Sequence, residues 1–238
     1  MNQIELKEFL DYKANQYELI DFITSDPIQI PHRFKQKEDV EIAGFLTASI
    51  AWGNRLSILK SANKMMALMD DSPYDFIINH KKSDLSIFEG FVHRTFNATD
   101  LTFFVRSLQN IYKNHQGLEN VFNSNKSSLQ YTIHDFKSIF FEIDHPQRTL
   151  KHVSDPLKGS AAKRLNMFMR WMVRSNTKGV DFGIWKHHSP AQLSIPLDVH
   201  TGNIARKLNL IRRKQNDSKT LWELDRKLRK FDPVERVK

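Results

Sequence analysis

Lys163 and Asp198 are the two side chains in this sequence whose type and setting could do covalent chemistry. Lys163 lies in a small basic block, Lys158-Gly159-Ser160-Ala161-Ala162-Lys163-Arg164. The apolar pattern Leu165, Phe168, Met169, Met172 predicts a helix over 160–174, with Lys163 in its first turn. There the helix dipole disfavours an ammonium and lowers its pKa. A partly neutral lysine is an amine nucleophile; the plain alternative is a solvent-facing lysine. Asp198 stands where the apolar run Ile195-Pro196-Leu197 enters an amphipathic stretch that continues to Leu210. Aspartate at a helix start is first of all a good N-cap. Gly159, flanked by small residues, suits a tight turn whose next helix presents its amides to a phosphate.

The elements that must position these residues read as helices. Ile4–Glu18 is amphipathic, with Ile4, Phe9 (with Leu10) and Tyr12 or Tyr17 on the expected apolar side. Asp39–Trp52 is apolar enough for a buried helix, which Gly53-Asn54 ends as a C-cap pair. Leu56–Met69 carries Leu56, Leu59, Met65, Met66 and Met69, a stripe that reads as core filler. Ser72-Pro73 and Ser189-Pro190 each combine an N-cap with proline at the first helical position. Further helices are expected over Leu101–His115 after Thr99, over Ser127–Ile143, and from the capping box Thr220-Leu221-Trp222-Glu223 to Phe231. Residues 175–197 are irregular, and Trp185 there is either packed or free to stack on a base. No segment set alternates with period two, and no repeat or low-complexity linker is present. The fold class is all-α.

The 238 residues are enough for one domain of ordinary size, expected as two packed helical parts, roughly 1–144 and 145–238. Hydrophobic residues make up 40%, with 17 Phe, which places the chain among folded proteins. Cysteine is absent, which excludes disulfides, thiolate zinc sites and a cysteine-ligated iron–sulfur cluster. No apolar run has membrane-span length and the N-terminus has no signal-peptide architecture, so a cytoplasmic location is the default expectation. The net charge of +9 is uneven. Residues 1–144 hold 15 Lys/Arg against 19 Asp/Glu, whereas 145–238 hold 21 against 8. A polyanion partner fits such a basic half, as does a basic surface that is merely solvated.

Together, the Gly159-to-Lys163 block and the run Ile195-Pro196-Leu197-Asp198-Val199-His200 resemble the helix-hairpin-helix DNA glycosylases. The hairpin pattern there is Gly-x-Gly-x-Lys. Here Ala161 replaces the second glycine while the glycine-to-lysine spacing is kept. The Asp198 run is similar to the aspartate-bearing helix entry of the oxoguanine glycosylase branch. Lys163 and Asp198 are 35 positions apart, about one short helix more than in well-known members. The stretches Asp155–Arg174, Val180–Trp185 and Pro196–His200 also resemble an uncharacterised bacterial branch of the group. In that branch the pattern continues past Phe231-Asp232-Pro233 into another apolar helix, so this chain is expected to end short of it.

The resemblance implies a helix-hairpin-helix motif, a cleft between two helical subdomains, and double-stranded DNA with a flipped damaged base as partner. It implies Lys163 as the nucleophile on the sugar and Asp198 as the carboxylate that stabilises the electron-poor sugar. Lys158, Gly159, Ser160, Ala161 and Arg164 would clamp phosphate. Asn54 and Arg55, at the end of an early helix, and His200 would touch DNA, although Asn54 is equally a plain cap. Neither metal nor cofactor is implied. His187, His188, Asp198 and His200 have no metal-ligand spacing, and no P-loop is present. The expected function is base-excision repair by a DNA glycosylase with associated lyase activity. The rivals are a non-catalytic helix-hairpin-helix nucleic-acid-binding protein and an interaction protein with an acidic partner.

Overall fold

Few glycines and prolines and a recurrent three-to-four-residue apolar spacing leave this chain little besides helix. The computed structural model, which describes residues 1–123, 128–235 and 237, is all-α. In chain order the helices are α1 (Gln3–Tyr17), α2 (Lys37–Ser49), α3 (Arg55–Ala67), α4 (Pro73–Asn79), α5 (Ala98–Asn114), α6 (Leu118–Phe122), α7 (Leu129–Phe140), α8 (Lys163–Val173), α9 (Val199–Lys207) and α10 (Ser218–Phe231). A minimal hairpin, β1 (Val92–His93) and β2 (Phe96–Asn97), pairs antiparallel with Val92 opposite Asn97. No helix among the described residues is long and apolar enough to cross a membrane.

The chain forms two compact units, Pro27–Ser160 and Met1–Asp26 with Ala161–Lys238. The boundary thus lies at Ser160–Ala161, not near residue 144, and the first helix belongs with the C-terminal part. The reason is burial. Leu6 of α1 packs in one cluster with Ala161, Leu197, Ala205, Leu210, Ile211, Leu221 and Leu224. That grouping redistributes charge, because residues 1–26 are acidic. The unit containing them holds 20 Lys/Arg and 13 Asp/Glu, against 16 and 14 in the other.

Phenylalanine builds the core of the 27–160 unit. Phe45 of α2 meets Phe104 of α5 at 5.8 Å and Phe136 and Phe140 of α7 at 5.5 and 5.4 Å. These stacked, edge-on and tilted pairs add specific geometry to burial. The methionine stripe of α3 is core, as expected, with Met65, Met66 and Met69 fully buried; Leu56 instead faces solvent. Gly53-Asn54 does not end α2, which stops at Ser49. The Asn54 side chain caps α3 by accepting from the Ser57 amide at 3.2 Å. Asn97, two residues earlier than Thr99, caps α5 in a reciprocal box with Asp100. The expected start of α7 at Ser127 lies outside the described residues; Ser128 accepts from Gln130.

In the other unit α1 has the expected extent but turns a different face inward. Leu6 is buried and Leu10, of the expected side, packs against the same cluster, while Ile4, Phe9, Tyr12 and Tyr17 are exposed. Helix α10 starts two residues before Thr220, with Asp217 accepting from the Thr220 amide at 2.9 Å. Thr220 is itself buried and its hydroxyl donates to the Gln215 carbonyl, and Glu223 accepts from the Arg212 amide, so the expected capping box is not formed. Residues 175–197 form two short 3-10 turns in an irregular path. Two amides from this path, Phe182 and Trp185, donate to the Trp171 and Met172 carbonyls at the end of α8. Trp185 is 1% exposed, edge-on to Phe168, so it is a packed residue.

Candidate functional site

The turn before α8 is built from local backbone rules. Asp155 begins a helical turn: its carboxylate accepts from the Leu157 amide at 3.0 Å and opens the 3-10 turn Pro156–Lys158. Gly159 closes that turn in the left-handed region at φ 93°, a conformation that side chains resist although a Cβ would meet nothing there. Lys158 and Gly159 are exposed and Ser160 half-exposed.

Helix α8 then starts after Ala162, which is itself left-handed at φ 44° and supplies no side-chain cap. Ala161, at the position of the missing second glycine, is not among the residues with positive φ. Its methyl is buried in the cluster around Leu6 and Leu197. Alanine is therefore tolerated at 161 because the extra carbon points into the core, and the left-handed requirement falls on its neighbour. The Ala161 carbonyl also accepts from the buried Asn166 side chain at 2.9 Å, which pins the turn to the helix.

Lys163 lies in the first turn of α8, as its spacing predicts, although the helix begins at Lys163 and not at residue 160. Burial lowers its pKa, and Arg164 lowers it further, against the opposing charges of Asp198 and Asp26. Its Nζ rests 3.6 Å from the Met167 sulfur. Arg164 is half-buried rather than a free surface cation, and burial lowers its pKa to about 10. The desolvation of Lys163 was not legible in the sequence, where the dipole alone was the reason for a lowered pKa.

Asp198 is the N-cap of α9, with Oδ1 accepting from the Thr201 amide at 2.9 Å. A short chain of contacts holds this helix start. Asn216 Nδ2 donates to the Asp198 carbonyl at 3.0 Å, and Arg206 donates to Asn216 Oδ1 at 2.6 Å. Gly202 makes the approach possible, since a Cβ at 202 would lie 2.4 Å from Asn216 Oδ1. Lys163 and Asp198 belong to the same unit and are close enough for the carboxylate's charge to act on the ammonium. One element start thus supplies a desolvated amine, and another supplies a carboxylate anchored by its own cap. His200 follows on the exposed first turn of α9.

The other expected contact residues lie in the 27–160 unit. Asn54 and Arg55 are exposed at the N-terminus of α3, not at the end of α2. Among the described residues no group of three or more His, Asp or Glu is placed to hold a metal ion.

Two polar networks escaped sequence reasoning. Beyond the end of α8, Arg174 is 3% exposed and bonds Glu18 at 2.5 Å and both Asp181 and Glu235 at 2.8 Å. It fastens α1 and the irregular path to α8 inside one unit. In the other unit, fully buried Asp100 accepts from Thr149 at 2.8 Å and lies 3.3 Å from His152 Nε2 and 3.1 Å from Arg148. Apart from Asp181, seven residues after Arg174, the partners of Arg174 and of Asp100 are far apart along the chain, so no spacing announces them.

The sequence pattern of one family, described as a protein of unknown function (DUF2400), matches residues 26–238. Comparison with curated proteins gives no match, and neither does comparison with solved structures.

Proposed function

The chain belongs to the DUF2400 family, and from its own residues we propose that it is a DNA-binding base-excision-repair glycosylase with an associated lyase step. The observation that carries this reading is the placing of Lys163 at the start of α8 and Asp198 at the N-cap of α9 within one unit, with burial lowering the Lys163 pKa. The α8 start, which has no side-chain cap, supports a phosphate contact through amides and dipole, and exposed Lys158 supports one through its own charge. A base inside a duplex is out of reach, so the substrate is a nucleotide flipped from the stack.

In this scheme the bond between the sugar C1′ and the base nitrogen breaks, and its electron pair leaves with the base. Positive charge develops on the sugar, and the Asp198 carboxylate stabilises it. The Lys163 amine, made easier to deprotonate by burial, forms the new bond to C1′. Loss of the amine proton and opening of the sugar ring give a Schiff base, from which strand cleavage by elimination follows.

Borohydride trapping tests the scheme on duplexes carrying oxidised, alkylated or deaminated bases. The wild type is expected to give a covalent protein–DNA adduct, and Lys163→Gln none. Release of base without an adduct would leave Asp198 as the catalytic group with water as nucleophile. A wild type that binds duplex yet releases no base from any member of the panel overturns the enzymatic reading. It would favour the second reading, a non-catalytic helix-hairpin-helix nucleic-acid-binding protein. The observation on that side is the Lys163 amine resting against the Met167 sulfur.

A further inference from the structure

Helix α10 is amphipathic in an unusual way. Leu221 and Leu224 are fully buried, and Leu228 and Phe231 pack against the same cluster. The opposite face carries Lys219, Trp222, Arg226 and Lys230 at helical spacing, all exposed. Trp222 is 64% exposed, whereas Trp185 and Trp171 are 1% and 5% exposed. The Arg226 guanidinium lies 4.7 Å from the Trp222 ring centroid, which holds the cation over the indole.

Beside this pair runs a shallow groove of about 490 Å³ lined by Arg213, Ser218, Lys219, Trp222, Glu223 and Arg226. Arg213 is paired with Asp217 at 2.6 Å, while Lys219 and Arg226 make no ion pair among the described residues. Glu223, the one acidic lining residue, has an oxygen engaged by the Arg212 amide at 3.0 Å.

A large aromatic face in water is costly, and two cations without ion-pair partners beside it select a partner that is flat, apolar on its face and negatively charged along its length. A nucleobase with its phosphates has all three properties. An acidic peptide offers the charge but no planar group for the indole. We propose that the α10 groove binds single-stranded nucleic acid, with an unpaired base stacked on Trp222 and the flanking phosphates at Lys219 and Arg226. The site is independent of Lys163 and Asp198 and would serve a strand whether or not the protein excises a base.

The test is titration of the full chain with a short labelled oligothymidylate, read by anisotropy and by quenching of tryptophan emission. Trp222→Ala is expected to weaken binding about 5- to 150-fold, the range of one lost base stack. Trp222→Phe is expected to restore most of it. Lys219→Gln with Arg226→Gln should lower the salt slope of log affinity by about 1.4, at roughly 0.7 per phosphate contact on single strands. Because these side chains are exposed, matching far-UV circular dichroism should confirm that each variant folds. Unchanged oligothymidylate affinity in Trp222→Ala overturns the proposal. So does displacement of the oligonucleotide by polyglutamate with the same dependence on Trp222, which would make the groove a site for acidic protein. Borohydride trapping on damaged duplexes should be the same in Trp222→Ala as in wild type, so this proposal and the excision reading fail separately.

Discussion

Replacing Arg174 by methionine probes what holds the unit containing Lys163 and Asp198. The guanidinium is almost fully buried and satisfies Glu18, Asp181 and Glu235 at once. Methionine fills similar space but removes from Asp181, 2% exposed, and Glu18, 8% exposed, a counter-charge at hydrogen-bond distance. Breaking a buried ion pair from one side costs about 3–5 kcal/mol. Two cations remain: Arg170, 3.5 Å from Asp181, and Lys178, 3.0 Å from Glu18. The expected cost is therefore at the lower end, about 3 kcal/mol, out of a total stability of about 5–15 kcal/mol for a domain.

Urea unfolding followed by circular dichroism measures that cost, and its pH dependence tests the cause. For Glu18, burial raises the pKa, but the Lys178 hydrogen bond and the charges of Arg174 and Lys178 outweigh it and hold it below 4.5. A depressed carboxylate contributes stability above its unfolded pKa and loses it as pH falls through the folded one. Asp181 behaves oppositely, because burial raises its pKa despite Arg170 and Arg174. Without Arg174 both carboxylates protonate more readily, so the gap between variant and wild type should narrow as pH falls from neutrality through 4.5. Adding Glu18→Gln and Asp181→Asn should recover most of the loss. A cost under about 1 kcal/mol, or a gap that widens on acidification, would refute the network as a source of stability.

Three other outcomes follow from the site. Asp198→Ala should cost about 1 kcal/mol of stability in thermal melts, while Asp198→Asn, which still caps, should cost a few tenths and yet abolish the proposed base excision with the proposed duplex binding retained. Gly202→Ala should drive Asn216 off the Asp198 carbonyl and cost about 1–3 kcal/mol, with the loss visible as faster hydrogen exchange at the α9 start. Lys158→Gln should lower duplex affinity alike for all sequences and reduce the salt slope by about 0.9, as one phosphate contact does; an unchanged slope would place the duplex elsewhere.

Much of this protein could be read from local order in its sequence. Helices declare themselves through neighbours three and four residues apart, so α2, α3, α5, α8 and α10 lie close to where apolar periodicity puts them. Lys163 in a first turn and Asp198 as an N-cap are likewise local facts, set by a glycine turn and an apolar run. Cap identity was less secure, because several short polar residues compete at each boundary. Asn54 caps the helix after it rather than ending the one before, and Asp217 takes the place expected of Thr220. Those contests are decided by which side chain the surrounding packing leaves free, as buried Thr220 illustrates.

Only the tertiary structure decided which face of α1 turns inward, since Ile4, Phe9, Tyr12 and Tyr17 compete with Leu6 in any apolar count and of the expected side Leu10 reaches the core. It also moved the acidic first 26 residues into the unit with the basic C-terminal part, which a division along the chain keeps apart. Burial of Lys163, the anchoring of Asp198 through Gly202 and Asn216, and the Arg174 network all join residues distant in sequence. Hydrogen-bond and periodicity rules act over one or two turns of chain, whereas desolvation and ion pairing depend on what the fold brings from elsewhere. The helices were therefore legible from the sequence, and the electrostatic setting of the side chains they carry was not.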